Sequence, residues 1–292
     1  MKYYIAWKPT SGEDVKFWQW FLPDGVLVSL AKLQQSGKFR EVVAKGIHEY
    51  LGFDGEVFLD GGAYGFPSYS SPYTQTEILD LQTWLRADLI SHLDRPYVNL
   101  TYIPESQKWA LLRTTIENAR AALQWQKHAQ RECTIVYTVQ GWNLESVKLC
   151  AKRLAELGAD HYAIGSLIGI GREEAVKRIV EVRQILGKQV KLHVFGVSRR
   201  SLLERVKHLV DSFDSAVPAK AAVFKEIVSP YLKRKHIDKA RARPCDCPIC
   251  RENPALIMIR GLPKQMEKFN FYRAIHNAYL YTQYSRRSRV NL

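Results

Sequence analysis

The sequence has no long apolar run, and none of its hydrophobic segments approaches the ~20 residues that a membrane-spanning helix needs. Its first residues lack the apolar stretch of a secretory signal and contain early acids. We find no phosphate-binding P-loop, no dinucleotide-binding glycine fingerprint and no low-complexity segment. These absences predict a cytoplasmic protein that works without ATP or a redox cofactor.

Acidic residues are the minority charge. Lys and Arg number 43 against 29 Asp and Glu, which gives a formal net charge of +14. Such an excess indicates a polyanionic partner, most often nucleic acid, and the alternative is a merely basic soluble enzyme. The charge concentrates in the carboxyl-terminal quarter, above all at 231–243, where tyrosines that can stack on unpaired bases interleave with it. The candidate nucleic-acid contacts there are Lys233, Arg234, Lys235, Arg241 and Arg243.

Strand-like and helix-like segments alternate along the chain. Runs rich in β-branched and aromatic residues predict strands at 25–31, 56–62, 97–103, 134–140, 161–167, 191–197 and 212–218. Segments with a 3.6-residue period predict helices at 106–130, 143–157, 172–186 and 199–210. This alternation predicts an α/β fold, and about seven parallel strands favour a closed (β/α)8 TIM barrel over an open sheet. For the eighth strand the candidate is 223–232.

In such a barrel, functional residues lie at the carboxyl ends of the strands. Five predicted strands end in polar or glycine residues: Asp60, Gln140-Gly141, Gly165-Ser166, Gly196 and Asp214. One such residue alone is typical of a turn. Five together favour a site at this end of the barrel.

Cysteines are few and unevenly placed. Three of the five lie within the stretch RPCDCPICRENP: Cys245, Cys247 and Cys250. A cluster like this is a metal site, a redox site or a set of free thiols. His276 is the one histidine that follows it, and three cysteines with one histidine suit a zinc ion. Four protein ligands leave zinc no open position, so we predict a structural zinc; Cys133 and Cys150 look like core residues.

The cysteine spacing resembles the zinc motif of the tRNA-guanine transglycosylase superfamily. Four other segments resemble motifs of that family in the same order: LDGGAYGF (59–66), TVQG (138–141), HYAIGSL (161–167) and FGVSRRSLLERVKHLVDSFDS (195–215). The resemblance spans residues 60 to 276. It implies a (β/α)8 barrel over residues 1–230. It also implies a small zinc-binding subdomain over 231–292, whose carboxyl-terminal helix packs on the barrel.

The resemblance also implies roles for individual residues. Asp214 matches the nucleophile that attacks C1′ of a guanosine, and Asp60 matches the general acid/base. Tyr64 matches an aromatic residue that stacks on the base, and Phe195 takes the place of a Met that packs on it. For these two rings the alternative is core packing. The remaining base contacts implied are Gln140, Gly165, Ser166, Leu167 and Gly196.

Two departures from the family pattern bear on the substrate. The family has a further Asp, which reads the guanine, on the strand that matches 97–103. No carboxylate lies between Tyr97 and Pro104, so Thr101 or Tyr102 occupies that region and Glu105 is the nearest acid. Lys220 stands where the family has a tRNA-contacting Arg.

With these departures, the sequence resembles a sister group of the family: the phage and genomic-island proteins that insert a 7-deazaguanine, such as 7-cyano-7-deazaguanine (preQ0), into DNA. If a phage encodes the protein, the expected cytoplasm is that of the host. DNA is therefore the expected substrate. The alternatives are a transglycosylase acting on tRNA and a non-catalytic nucleic-acid-binding subunit of such an enzyme. A homodimer is plausible by the same resemblance.

Overall fold

The computed structural model describes residues 1–9, 16–65, 71–98, 103–129, 133–241, 245–261 and 266–290. Eight parallel strands close into a barrel in chain order. They are β1 Lys2–Trp7, β2 Gly25–Ser29, β3 Val57–Asp60, β4 Leu89–Ser91, β5 Thr134–Val139, β6 His161–Ile164, β7 Lys191–Val194 and β8 Ser212–Ser215. The predicted TIM barrel is therefore confirmed.

Helices cover the outside of the barrel. They are α1 Leu30–Gln35, α2 Phe39–Lys45, α3 Ile47–Leu51, α4 Gln75–Trp84, α5 Glu105–Ala129, α6 Leu144–Ala155, α7 Arg172–Leu186, α8 Arg200–Val206, α9 Val217–Val223, α10 Pro248–Glu252 and α11 Met266–Val290. The four predicted helices correspond to α5, α6, α7 and α8. Local chemistry sets their ends: Asn143 and Ser146 form a capping box at the start of α6, and Gly187 ends α7 with a φ of 81°.

Two strand predictions are wrong. The fourth strand lies at Leu89–Ser91, and Tyr97, Val98 and Ile103 are not in a strand; residues 99–102, which include Thr101 and Tyr102, lie outside the described residues. The eighth strand of the barrel is not 223–232 but the amino-terminal segment Lys2–Trp7, which pairs with both β2 and β8.

Part of 223–232 instead forms strand β9, Glu226–Val228. It pairs antiparallel with β10, Arg234–His236, in a separate two-stranded ribbon. This ribbon is stabilised by α11, because the side-chain oxygen of Asn277 accepts a hydrogen bond of 2.7 Å from the backbone N–H of Val228. The carboxyl-terminal elements are thus fixed to one another by buried polar contacts.

Helix α11 also covers the seam of the barrel. The ring of Tyr281 lies 5.4 Å from that of Tyr3 on β1, and its hydroxyl donates to the carbonyl of Ser198 at 3.0 Å. Ser285 donates to the carboxylate of Asp24, which precedes β2. The last helix therefore holds the first strands in place.

The inside of the barrel is filled by a compact cluster of its own, made of Tyr4, Leu27, Phe58, Val136 and Ala163. A larger apolar core lies between the strands and the helices. Because the barrel interior is packed, a ligand has room only at its ends. No helix among the described residues is long and apolar enough to cross a membrane.

Candidate active site and metal cluster

Asp60 is the last residue of β3, at the carboxyl end of the barrel. Its carboxylate accepts a hydrogen bond of 2.5 Å from the backbone N–H of Gly62 and another from the side chain of Ser29 on β2. Burial, and after it the charges of Asp94 and Asp214, raise the pKa of Asp60 to about 7 despite the lowering effect of these hydrogen bonds. A carboxyl group with this pKa can both give and take a proton near neutral pH.

Asp94 is a candidate site residue that the sequence analysis did not identify. It lies just past the end of β4 and accepts a hydrogen bond from the side-chain amide of Gln140, which follows β5. Burial raises the pKa of Asp94, and the hydrogen bond from Gln140 partly offsets this. The sequence analysis predicts the fourth strand at 97–103, whereas the strand ends at Ser91. Asp94 therefore precedes the predicted strand and was not among the residues expected at a strand end. Glu105, the acid suggested in its place, lies at the start of α5 and accepts a hydrogen bond from Trp142 at 3.1 Å.

A chain of hydrogen bonds fixes the orientation of the Gln140 amide. The backbone N–H of Tyr97 donates to Ser166 Oγ at 2.8 Å, and Ser166 Oγ in turn donates to Gln140 Oε1. With its oxygen held in this way, Gln140 must present its nitrogen to Asp94. The backbone of Ser166 is in the left-handed region, with a φ of 55°. In this conformation the Ser166 side chain makes the two hydrogen bonds described above.

Gly165 lets strand β6 approach the amide. A Cβ atom at this position would lie 2.3 Å from Gln140 Nε2, well inside contact distance. The glycine therefore allows Gln140 to lie flat against the backbone. Three predicted base-binding residues, Gln140, Gly165 and Ser166, are brought together in this way.

Asp214 lies in β8 and is 6% exposed. One of its carboxylate oxygens, Oδ1, accepts a hydrogen bond of 2.8 Å from the backbone N–H of Gly196. The same oxygen lies 3.2 Å from Nε2 of His193, a residue of β7 that the sequence analysis did not single out. Gly196 has a φ of 68°, and a Cβ there would lie 2.8 Å from the side chain of Ile168. Asp214 is thus held through one oxygen.

The other predicted base contacts differ in their surroundings. Tyr64 follows Asp60 in a 3-10 turn and is 53% exposed, so its ring is not part of the core. Leu167 is buried. Phe195 packs against His193 at a centroid distance of 4.7 Å and against Phe58 at 5.6 Å, so at least one side of its ring belongs to the barrel interior.

The predicted metal ligands meet in space. One ligand atom from each of Cys245, Cys247, Cys250 and His276 lies within 4.8 Å of the others. His276 Nδ1 is 3.4 Å from the sulfur atoms of Cys247 and Cys250. Tetrahedral zinc with its usual bond lengths separates a nitrogen and a sulfur ligand by about 3.5 Å.

The surroundings of the cluster fit a metal as well. His276 Nε2 lies 3.0 Å from the carbonyl oxygen of Val228, to which it can donate only as the protonated nitrogen. This leaves Nδ1 unprotonated and facing the sulfurs, as a metal-binding histidine requires. The backbone N–H of Cys250 also donates to the Cys247 sulfur at 3.3 Å. The four residues can therefore bind a metal ion, with no position left for a substrate.

Most of the predicted nucleic-acid contacts are exposed: Lys220, Lys233, Arg234, Lys235 and Arg241. Arg243 lies outside the described residues. Arg234 is 3.5 Å from Glu226 in the neighbouring strand of the ribbon, and an exposed pair of this kind still leaves the cation accessible.

The fold and the site define a class before any relative is considered: a (β/α)8 barrel with acids at the carboxyl ends of its strands and a separate three-cysteine, one-histidine cluster. The family model described as queuine tRNA-ribosyltransferase (TGT) matches residues 26–292, and the chain belongs to this family.

Relatives carry the name tRNA-guanine(15) transglycosylase. The protein from Methanopyrus kandleri is 29% identical over 240 residues, which cover 79% of this chain and 51% of the relative. That from Methanosarcina mazei is 28% identical over 70% of this chain and 42% of its own length. That from Pyrococcus furiosus is 25% identical over 88% of this chain and 43% of its own. The chain thus spans about half the length of these relatives, or somewhat less.

Proposed function

We propose that this protein is a base-exchange transglycosylase that removes a guanine from a nucleic acid and installs a 7-deazaguanine, such as preQ0, at the same C1′ atom. The carrying observation is the group of three carboxylates at one end of the barrel. Asp60, Asp94 and Asp214 lie at or near the ends of different strands, and the charges of Asp94 and Asp214 both raise the pKa of Asp60. Binding alone does not require acids to be gathered at such a cost in desolvation.

The first step uses Asp214 as the nucleophile. Its free oxygen, Oδ2, attacks C1′ of the guanosine, the bond from C1′ to N9 breaks, and the electron pair leaves with the guanine. Protonated Asp60 gives its proton to the departing base. The product of this step is a covalent ester between Asp214 and the sugar.

The second step reverses the first with a different base. The incoming base loses its N9 proton to ionised Asp60, its nitrogen attacks C1′ from the vacated face, and the bond to Asp214 breaks. Two inversions leave the configuration at C1′ unchanged, as in a retaining glycosidase. A pKa of about 7 allows Asp60 to serve in both directions.

We propose that the base is recognised by the side chains of Asp94 and Gln140, which are hydrogen-bonded to each other. The side chains of Asp94 and Gln140 offer acceptors and a donor for the edge of a guanine, and Tyr64 offers an exposed ring for stacking. Backbone at Gly165, Ser166, Leu167 and Gly196 would complete the pocket.

We favour tRNA over DNA as the nucleic acid. The relatives are named for tRNA, and they support this alternative better than the DNA substrate expected from the sequence. One reason for expecting DNA was the missing guanine-reading carboxylate, and Asp94 supplies a carboxylate at the site. Exposed Lys220, Lys233, Lys235 and Arg241 are proposed to contact phosphates. Zinc, bound by the cysteine cluster, would stabilise the carboxyl-terminal elements.

The test offers labelled preQ0 to the zinc-loaded protein with bulk tRNA and with duplex DNA in parallel. Asp214→Ala is the inactive variant, and Asp54→Asn, in an exposed loop, is the control carboxylate. Label in tRNA that persists with the control and disappears with Asp214→Ala supports the proposal. Label in DNA alone would restore the DNA substrate. Label that survives in Asp214→Ala would refute the covalent mechanism.

A further inference from the structure

Strands β7 and β8 place three polar side chains in a row beside the apolar cluster inside the barrel. Ser212 and Asp214 are two residues apart on β8, so their side chains lie on the same face of the strand. His193 projects between them from β7: its Nδ1 is 2.9 Å from Ser212 Oγ and its Nε2 is 3.2 Å from Asp214 Oδ1. His193 is 4% exposed and its contact with Asp214 is buried, whereas Ser212 is partly exposed.

For a neutral imidazole beside an ionised carboxylate, the hydrogen bonds of the row have one consistent arrangement. An ionised carboxylate can only accept, so the nitrogen that faces Asp214 must carry the proton. In neutral His193 the other nitrogen, Nδ1, is then an acceptor, and the hydroxyl of Ser212 donates to it. The carboxylate of Asp214 thereby selects the tautomer in which Nε2–H points at it, and the hydroxyl of Ser212 is compatible with this tautomer because it can donate to Nδ1.

Aromatic rings hold the imidazole in this position. Its centroid is 5.6 Å from that of Tyr4, 5.4 Å from that of Phe58 and 4.7 Å from that of Phe195, with interplanar angles of 69° to 82°. Edge-to-face packing on three sides restricts rotation of the ring. The donor is therefore fixed in direction as well as in protonation.

We propose that His193 is a positioning residue that determines which oxygen of Asp214 attacks the sugar. Together with the N–H of Gly196 it occupies Oδ1. No group of the described residues donates to Oδ2, so its lone pairs are available, and the two contacts at Oδ1 fix the rotation of the carboxylate. The inference rests on the proposed function, because it assigns His193 a part in forming the glycosyl-enzyme.

Substitutions at this position are practicable. His193 and Ser212 also line a cavity of about 330 Å³ at the amino-terminal end of the barrel, which gives space to a slightly larger side chain. His193→Phe keeps an aromatic ring and removes both hydrogen bonds. His193→Gln keeps an N–H donor at a similar reach. The two variants separate loss of the donor from loss of packing.

The experiment measures kcat and KM for base exchange in the native protein and both variants, with the melting temperature of each. For His193→Phe we expect kcat to fall about ten- to a hundredfold, the range for losing a hydrogen bond to a charged group, with KM within about twofold. His193→Gln should recover most of kcat. A native kcat in His193→Phe, a change confined to KM, or equal losses in both variants with lowered melting temperatures would overturn the inference.

A second measurement does not depend on activity. Nitrogen-15 spectra of the imidazole groups, with the His193→Gln spectrum to assign the signal, report which nitrogen carries the proton. We expect Nε2–H; the Nδ1–H tautomer would overturn the inference, since Nε2 then has nothing to donate to Asp214. If the native protein shows no exchange on either nucleic acid while the spectrum shows Nε2–H, the proposed function fails and the contact with Asp214 stands.

Discussion

Replacing Asp60 by Asn should make the protein more stable at alkaline pH while it abolishes base exchange. The carboxyl of Asp60 has a pKa of about 7 in the folded protein, against an ordinary value of 3.8. Between these two values the folded state keeps a proton that the unfolded state has lost. Stability contributed by the site therefore falls as the pH rises from about 4 to about 7. Asn is nearly isosteric with Asp and cannot ionise. The free energy of unfolding of the variant therefore does not fall with pH at this position.

The size of the effect follows from the shift in pKa. Integrating proton binding between pH 5 and pH 8.5 gives a destabilisation of the native protein of about 3 kcal/mol from this group. Asp60 keeps some exposure, and solvent screening reduces the figure. We expect the advantage of Asp60→Asn in the free energy of unfolding to grow by about 1 to 3 kcal/mol between these pH values.

The assay is urea unfolding followed by tryptophan fluorescence, for the native protein and Asp60→Asn at both pH values. Taking the difference between the two proteins at each pH removes the effects of other groups, including the metal ligands. Asp54→Asn, an exposed carboxylate, is the matched control and should show no pH-dependent gain. If the gain in the free energy of unfolding for Asp60→Asn is equal at pH 5 and pH 8.5, the raised pKa of Asp60 is contradicted. The proposed role of Asp60 in giving and taking a proton is then contradicted as well.

Three further predictions concern the base pocket and the metal. Gly165→Ala should raise KM for the incoming base about ten- to a hundredfold, because the new Cβ displaces Gln140; an unchanged KM would contradict the pocket. Tyr64→Phe should keep exchange and Tyr64→Ala should lower affinity for the base, as competition binding would show, since only the ring is used. Cys247→Ala should lose zinc, measured by metal analysis, and melt at a lower temperature, whereas Cys133→Ala should keep the metal; zinc retained by Cys247→Ala would refute the assignment.

The barrel was predictable from sequence because most of its strands are marked by β-branched and aromatic runs that end in glycine or polar residues. The errors have physical causes. Strand β4 has three residues, too few to show an alternation of apolar and polar positions. The β-branched and aromatic run at 97–103 has the composition of a strand, so the strand was predicted there instead. Strand β1, KYYIAW, carries three aromatic residues and no turn residue before it, so it did not stand out as the partner of β8.

The site was predictable where a residue's position in the chain fixes its position in space. Asp60 ends β3, Gln140 follows β5 and Asp214 is the last residue but one of β8. These strands were correctly placed, and the structure brings the three residues to the same end of the barrel. Asp94 was missed because its strand was misplaced. His193 was missed because it lies inside a strand, where the sequence shows a polar residue without its partners; the alternation of Ser212 and Asp214 on β8 was the available clue.

The pairing of β1 with β8 has a consequence for the way the protein folds. Residues 2–5 lie beside residues 212–215, so the barrel closes only when the two ends of a loop of some two hundred residues meet. Loop closure over such a distance is slow, and α11, which covers this seam, lies further along the chain than every strand of the barrel. Asp214 lies opposite Tyr4 on the seam itself. The proposed nucleophile therefore reaches its final surroundings only in the closing step, so the proposed activity depends on completion of the fold.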